Sequence, residues 1–303
     1  MRNGAILNDF LTYTMHGIHY GEQGDYEKAI SYFNQALEIN PNIVEAYFGK
    51  GTAYASMKNY DLAIDEYSNA IRLAPNIALV YHQRGIAYDK TGCFDKAIED
   101  YSKAISLDPN LVMAYYNRGV VYSYKGYYDK AIDDYTQTIK FDHNFAKAYF
   151  NRADAYYNLG DHNSAIDDYA QCISLTPNDA NAYNNRSAAY VAIGSFELAI
   201  ADSTQAIFLD PNNARAYNTR GNAYSSIGEH HLAIDDFCKA INLNSNFAEA
   251  YCNRGATYGE IGDYDRAMDD FKATLRIDSQ NNIAYRNIEI LQDMHGNNGS
   301  IRN

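Results

Sequence analysis

The chain has 303 residues and a formal net charge of −13; 47% of its residues are hydrophobic and 21% are charged. These values are typical of a folded protein, and the acidic balance argues against binding nucleic acid through its phosphate backbone, which needs a basic face. The four cysteines lie far apart in sequence and no apolar run approaches the roughly 18 residues of a membrane span, so a disulfide framework, a zinc site and a spanning helix are excluded.

The chain opens with a short lead-in, residues 1–9, which carries one arginine and a brief apolar run that ends at Asn8. A secretory signal needs a longer apolar core behind a basic start, so we expect none here. Cysteines without a close partner indicate a reducing compartment. We therefore expect a cytoplasmic protein that works without a membrane.

From residue 10 the chain repeats itself with a period of 34 residues, which its prolines mark. Pro41 and Pro75 lie one period apart, Pro109 follows one period later, and Pro177 and Pro211 continue the same series. No insertion interrupts the period between residues 10 and 281. Self-similarity at a fixed period indicates a repeat architecture. The eight predicted units span residues 10–43, 44–77, 78–111, 112–145, 146–179, 180–213, 214–247 and 248–281.

Each unit is predicted to form two helices joined by a turn, because its apolar positions follow helical spacing. The fourth and eleventh positions are Tyr in every repeat, the eighth is Gly, Ala or Ser, and the twentieth is Ala. The fifteenth is Gly in all repeats but the second, which has Lys58. Small residues let the two helices approach closely, Gly provides the turn, and proline at position 32 ends the second helix. One such pair is too small to fold alone, so it must pack against the next.

This pattern resembles that of the tetratricopeptide repeat family, which combines an aromatic residue at position 4, a small residue at 8, Tyr at 11, Ala at 20, an aromatic residue at 24, Ala at 27 and Pro at 32. The resemblance covers residues 10–281. It implies an all-α fold, a right-handed superhelical solenoid of antiparallel helix pairs, and a role in binding other proteins rather than in catalysis. Two columns depart from the family: position 4 is Tyr where Trp is frequent, and position 7 is Arg in six repeats where Leu is usual.

A ninth first helix without a partner helix is predicted after the last repeat. Residues 282–295 repeat the opening of a first helix at Ala284 and Tyr285, and they resemble the helix that caps arrays of this family. The remaining residues, 296–303, are rich in Gly and Asn, and we expect them to be disordered.

The arginine column is predicted to pair with a carboxylate column inside each repeat. Repeats 3–8 have Arg at position 7 and Asp at position 23. Repeat 2 has Lys50 and Glu66 at these positions, and repeat 1 has His16 and Tyr32. The two columns therefore change together. An antiparallel hairpin that turns near position 15 sets positions 7 and 23 at equal height, which allows bidentate hydrogen bonds. A ladder that binds phosphate or carboxylate ligands is the alternative. The predicted pairs are Arg84–Asp100, Arg118–Asp134, Arg152–Asp168, Arg186–Asp202, Arg220–Asp236 and Arg254–Asp270.

The resemblance also implies that the first helices line a concave groove, with positions 2, 5, 9, 12 and 13 facing the ligand. In repeats 2–4 these positions are mostly aromatic or apolar, which is typical of binding hot spots, and in repeats 5–8 they carry small and amide side chains. Plain packing between neighbouring first helices is the alternative. The candidate groove residues are Phe48, Thr52, His82, Ile86, Tyr116, Val120, Tyr124, Phe150, Asp154 and Tyr157.

Asparagine recurs at position 6, and its amide can both donate to and accept from a peptide backbone. The row resembles the asparagine ladder in the sugar-transferring member of the family, and ties between helix surfaces are the alternative. The row consists of Asn117, Asn151, Asn185, Asn253 and Asn287.

No motif supports catalysis, metal binding or a cofactor, since no HExxH, GxSxG or phosphate-binding loop occurs. A carboxylate clamp of the chaperone-binding kind is disfavoured, because position 5 is never Lys and position 6 is never Arg. Acidic residues at positions 18, 22 and 23 indicate a solvated convex face, or one that attracts a basic partner. We expect a scaffold that binds a peptide segment of another protein in its groove. The alternatives are a regulatory or substrate-recruiting arm of an enzyme whose catalytic subunit is another chain and, more distantly, a co-chaperone or an RNA-binding helical repeat.

Overall fold

The structure, a computed structural model, describes the backbone of residues 2–299 and the side chains of residues 9–293. Within that range the chain forms seventeen α-helices and no strand. The first helices of the repeats are α1 (Arg2–Glu22), α3 (Val44–Ser56), α5 (Ala78–Lys90), α7 (Val112–Tyr124), α9 (Ala146–Leu159), α11 (Ala180–Ala192), α13 (Ala214–Ser226) and α15 (Ala248–Glu260). The second helices are α2 (Tyr26–Ile39), α4 (Tyr60–Leu73), α6 (Phe94–Leu107), α8 (Tyr128–Phe141), α10 (His162–Leu175), α12 (Phe196–Leu209), α14 (His230–Leu243) and α16 (Tyr264–Ile277). A last helix, α17 (Asn282–Gly299), follows them.

The helix boundaries follow the period of the sequence. Each first helix from α3 to α15 begins at the first residue of its predicted repeat, and every second helix begins at position 17. All five prolines lie in the connections between repeats, where the missing backbone N–H and the fixed φ do no harm to a helix. The fold is therefore all-α and built from helix pairs, as predicted.

Both ends of the chain differ from the prediction. The lead-in, 1–9, is not a separate segment, because α1 begins at Arg2 and runs through Phe10 without a break. At the other end, α17 continues past 295 to Gly299, so residues 296–299 are helical and only 300–303 lie outside the described residues. An interior glycine such as Gly296 weakens a helix by about 1 kcal/mol but does not end it.

The turn inside each repeat requires a left-handed backbone conformation at position 15. Seven repeats place glycine there with φ between 76° and 83°, and the second repeat places Lys58 there with φ 62°. Only glycine adopts this conformation without a steric penalty on its Cβ. The single departure from the glycine column therefore keeps the turn geometry at an energetic cost.

The chain divides into two compact units, Met1–Asn151 and Arg152–Asn303. Within each unit, every helix contacts only helices of its own repeat or of a neighbouring repeat. The two helices of a pair contact each other most extensively, and adjacent first helices such as α3 and α5, or α11 and α13, also touch. The first helices of a unit thus form one continuous surface, the first-helix face, carried by positions 2, 5, 6, 9, 12 and 13.

The core of most repeats is a small residue packed under a large ring. The alanine at position 20 is fully buried in every repeat, and in the six repeats with glycine at position 8 the ring at position 24 lies against that glycine. A Cβ added to Gly51 would lie 2.6 Å from Tyr67, and one added to Gly119 would lie 2.8 Å from Tyr135. The spacing of the helices in a pair is therefore set by a ring that fills the space over a glycine.

Candidate functional site

The structure joins the arginine and aspartate columns in all six repeats where both occur. In each pair Nε and Nη2 of the arginine donate to the two carboxylate oxygens over distances of 2.6 to 2.9 Å. The pairs are Arg84–Asp100, Arg118–Asp134, Arg152–Asp168, Arg186–Asp202, Arg220–Asp236 and Arg254–Asp270. In repeat 2, Lys50 Nζ lies 2.7 Å from Glu66 Oε1. The hydrogen bond to Asp270 raises the pKa of Arg254 above its ordinary value.

Several of these arginines also tie their repeat to the one before it. In four repeats Nη1 donates, over 2.8 to 3.1 Å, to the side chain at position 25 of the preceding second helix. The accepting residues are Ser68, Ser102, Thr204 and Cys238. Sequence reasoning missed this contact, although position 25 carries a hydroxyl or thiol in most repeats. The arginine therefore closes its own helix pair and links it to its neighbour.

The tyrosine columns at positions 4 and 11 flank these guanidinium groups. The Cζ of Arg118 lies 5.9 Å from the ring centroid of Tyr115 and 5.8 Å from that of Tyr122. Cation–π attraction of this kind adds to the ion pair. In repeat 1, where the charges are missing, the ring of Tyr32 stacks between Tyr13 and Tyr20 instead. Because their donors are engaged inside the protein, the arginines do not present a ladder to a ligand.

At position 5 of the first-helix face, the predicted groove residues pack on the rings at position 24. The ring centroid of Phe48 lies 5.8 Å from that of Tyr67, and that of Tyr116 lies 6.0 Å from that of Tyr135. His82 is buried, and burial lowers its pKa. These side chains serve the packing between helices, the alternative that the sequence left open. Phe48 and Tyr116 stay half-buried and so keep an accessible edge, but His82 does not.

The groove residues at positions 9, 12 and 13 range from half-buried to exposed. Thr52 is exposed, and Ile86, Val120, Asp154 and Tyr157 are half-buried, as is Phe150 at position 5. Tyr124 is 75% exposed, although its ring centroid lies 4.6 Å from that of Phe94 in the preceding repeat. Thr52 and Tyr124 are therefore the most accessible of the predicted groove residues.

An apolar cleft of about 450 Å³ opens on the first-helix face between α1 and α3. Gly17, Ile18, Phe48 and Gly49 line it, together with Thr52 and the buried ring of Phe33 from α2. Repeat 2 has glycine at position 6, where most repeats have an amide, and a Cβ there would lie 2.3 Å from Phe33. The cleft lies between repeats 1 and 2, at the N-terminal end of the predicted groove. Its signal in the sequence was the glycine in the amide row.

The asparagine row connects adjacent first helices. Asn117 Nδ2 lies 3.1 Å from His82 Nε2, and Asn151 Nδ2 donates to Tyr116 Oη at 3.1 Å. Asn253 Nδ2 donates to Asn218 Oδ1 at 3.0 Å. Asn185 Nδ2 donates to Asp154 Oδ1 at 3.1 Å, and Asn287 lies half-buried on α17. Four of the five amides thus use one N–H in a hydrogen bond between repeats, and only their other polar atoms remain for a ligand.

Comparisons with known proteins agree with this architecture. Residues 14–76 and 78–111 match two family models described as tetratricopeptide repeat, and residues 111–295 match a model described as ETO1 C-terminal domain. Photosystem I assembly protein Ycf3 of Acaryochloris marina is 43% identical over 42 residues, which are 14% of this chain. That match spans 25% of the length of Ycf3.

Two solved structures are similar over longer stretches. The crystal structure of MamA protein is 27% identical with a TM-score of 0.53, over 57% of this chain and 94% of MamA. The structure of YrrB, whose title calls it a TPR protein with an unusual peptide-binding site, is 21% identical with a TM-score of 0.55, over 61% of this chain and 95% of YrrB. At that identity the likeness to YrrB shows the fold alone.

None of the helices in the described part of the chain is long and apolar enough to cross a membrane. Nowhere among the described residues do three or more His, Cys, Asp or Glu side chains lie together so that they could hold a metal ion. The helix pairs, the columns that hold them together and the family matches lead to one identification. The chain belongs to the tetratricopeptide repeat family, and its residues 111–295 match the ETO1 C-terminal domain.

Proposed function

We propose that the protein is an interaction scaffold that binds an apolar segment of another protein on its first-helix face. Proteins of this family generally act as binding scaffolds without catalytic activity. The observation that carries the proposal is the apolar cleft between α1 and α3. Leu11 and Met15 of α1 are 50% and 68% exposed, and helical spacing places them on the same face of α1 as Ile18 of the cleft. Exposed apolar patches of this kind mark interaction sites.

By analogy with YrrB, a protein of the same fold whose title names a peptide-binding site, we take a peptide or an extended segment as the ligand. The accessible positions 9 and 13 extend the surface from the cleft towards Ile86, Val120 and Tyr124 within the first unit. An anchor side chain in the cleft, with further contacts along these positions, suits a segment that spans several repeats. Anchor-and-pocket contacts generally supply most of the affinity of such interfaces.

The test uses peptides selected from a random 12-residue display library on the wild-type protein. Ile18→Asp places a charge at the cleft, where the side chain is 44% exposed, and we expect it to weaken binding at least tenfold. Leu62→Asp is the matched control, since Leu62 is 47% exposed on the second helix α4. The triple change Phe48→Ala, Tyr116→Ala and Phe150→Ala should abolish binding while helicity by circular dichroism persists. Equal binding by all variants would place the site elsewhere.

The enzyme-arm alternative predicts a different outcome in a pull-down with mass spectrometry. A stable, stoichiometric catalytic partner would favour a regulatory or substrate-recruiting arm. Capture of varied non-catalytic proteins, lost in Ile18→Asp and kept in Leu62→Asp, would favour the scaffold.

A further inference from the structure

Asp154 is the one charged residue in its column of the first-helix face. It occupies position 9 of repeat 5 on α9 and is half-buried. The equivalent residues in the other repeats are uncharged: Ile18, Thr52, Ile86, Val120, Ala188, Asn222 and Ala256. Because methyl, hydroxyl and amide groups occupy this position in the other repeats, the structure that the repeats share does not explain the charge of Asp154.

Two neighbours hold the carboxylate in a fixed orientation. Tyr169 Oη, from the second helix α10, donates to Oδ1, and Asn185 Nδ2, from α11, donates to the same oxygen at 3.1 Å. Tyr169 is 1% exposed, so the Asp154 carboxylate sits above a buried ring. Both hydrogen bonds go to one oxygen, which leaves Oδ2 with its acceptor capacity unused by the described residues.

No cation faces this carboxylate. Among the described residues, no nitrogen of Lys, Arg or His lies within 4.0 Å of it, whereas each of the six aspartates at position 23 has an arginine in bidentate contact. Burial raises the pKa of Asp154 above its ordinary value, so the fold does not stabilise the ionised form. A half-buried carboxylate without a counter-ion is a cost to stability.

The hydrogen bond to Tyr169 does not account for the charge. In repeat 2 a neutral residue accepts the equivalent hydrogen bond. Tyr67 Oη donates to Thr52 Oγ1 at 3.4 Å, and these residues occupy the same two positions of the repeat as Tyr169 and Asp154. A hydroxyl or an amide at position 154 could also accept from Tyr169, although through a weaker hydrogen bond than a carboxylate forms. The negative charge therefore exceeds what the packing of repeat 5 requires.

We propose that Asp154 anchors a basic side chain, Lys or Arg, of a segment bound on the first-helix face of the second unit. This inference rests on the proposed function and specifies the chemistry of the partner in repeats 5 and 6. Tyr169 and Asn185 hold the carboxylate in place, and the ammonium or guanidinium group of the partner supplies the missing counter-ion at Oδ2. An ion pair that forms at a half-buried, pre-oriented carboxylate gives specificity as well as affinity.

The experiment selects a random 12-residue peptide library in parallel on the wild-type protein and on Asp154→Asn. The asparagine keeps an acceptor for Tyr169 and Asn185 and removes the charge, so its thermal midpoint should equal or exceed that of the wild type. We expect peptides selected on the wild type to share a Lys or Arg that peptides selected on Asp154→Asn lack. Asp167→Asn is the matched control, because Asp167 is an exposed acid on the second helix α10 of the same repeat.

A synthetic peptide from the selection then enters a double-mutant cycle. Replacing its basic residue with norleucine, or acetylating the lysine, should weaken binding to the wild type and to Asp167→Asn at least tenfold, and binding to Asp154→Asn less than threefold. Peptides that bind, but with the same residue preference and the same losses on all three proteins, would overturn this inference and leave the scaffold proposal standing. Failure of any peptide to bind the wild type would overturn both.

Discussion

The charged pair at positions 7 and 23 is the most repeated polar contact in the protein, and its partners are buried to different degrees. The side chain of Asp134 is 5% exposed, and that of Arg118 is 19% exposed. Two hydrogen bonds to the carboxylate, a third to Ser102 and two flanking tyrosine rings offset the cost of taking both charges out of water. The arrangement is stable only while both partners are present.

Arg118→Met should therefore lower the free energy of unfolding by about 3 kcal/mol or more, because it leaves the carboxylate of Asp134 buried without a partner. Urea unfolding followed by circular dichroism measures the loss. Lys140→Met, which removes an exposed cation from the same repeat, should change stability by less than about 0.5 kcal/mol. The double change Arg118→Met and Asp134→Leu should be more stable than Arg118→Met alone, and an equal or larger loss would contradict this account.

Repeat 6 shows that the ring and the small residue at positions 24 and 8 are a matched pair. It carries Ser203 where the other repeats carry Phe or Tyr, and Ser187 where six of them carry Gly. Both hydroxyls donate to the carbonyl of Ala199, over 2.6 and 2.7 Å. Two serines and a shared acceptor thus replace a ring over a glycine, with no atom of either residue exposed.

Ser203→Phe alone should destabilise the protein by about 2 kcal/mol, since the side chain of Ser187 occupies the space that the ring needs. Adding Ser187→Gly opens that space and recreates the pair found in the other repeats. A double-mutant cycle of unfolding free energies should show a favourable coupling of at least about 1 kcal/mol. Strictly additive effects would mean that the two positions adjust independently.

At the scale of the element, the turn between the two helices of a repeat is strained in one repeat, the second. Lys58 adopts φ 62° at the position where seven repeats have glycine. A left-handed conformation destabilises the folded state by about 1–2 kcal/mol for a residue with a Cβ. Glycine avoids this strain, but its greater freedom in the unfolded chain offsets part of the gain in stability. The side chain of Lys58 is exposed, so its loss removes no packing.

Lys58→Gly should accordingly raise the free energy of unfolding by about 1 kcal/mol. The reverse change at an equivalent turn, Gly126→Lys at φ 77°, should lower it by a similar amount. Thermal and urea denaturation of both variants against the wild type give the two signs. A loss of stability in Lys58→Gly would show that the lysine makes a compensating contact in solution.

At the scale of the whole molecule, stability is distributed along the chain, because each repeat contacts only its neighbours within its unit. The last repeat depends on α17 for the cover that a following repeat provides elsewhere. Ala284 and Leu291 of α17 are buried against Tyr258 and Phe271. Without that helix, the core of repeat 8 would face solvent.

Leu291→Asp should therefore loosen the C-terminal repeats before the rest of the array, because it places a charge where the side chain is 6% exposed. We expect hydrogen exchange to show lost protection in α15–α17 and retained protection in α3–α7. Ile290→Asp is the matched control, since the adjacent side chain is 48% exposed. Uniform loss of protection along the chain would mean that it unfolds as one cooperative body.

The architecture could be predicted because the period appears eight times in the sequence. Tyr, Gly, Ala and Pro at fixed positions determine where each helix begins, turns and ends, and these are local choices of backbone conformation. Pairing of Arg84 with Asp100, and of its equivalents, could also be predicted, since Lys50 with Glu66 and His16 with Tyr32 change together within single repeats. At the two ends of the chain, where no neighbouring repeat sets the boundary, the prediction differed from the structure.

Contacts between repeats were decided only by the tertiary structure. Each of these features joins side chains from different helices. They are the third hydrogen bond of Arg84, which goes to Ser68, the cleft over Phe33, and the Asp154 carboxylate with its donors Tyr169 and Asn185. A linear pattern states which residues share a face, but the distance and angle between two helices depend on how every ring and glycine between them packs. The period therefore determined the scaffold, and the packing between its repeats determined which side chains remain available to bind a partner.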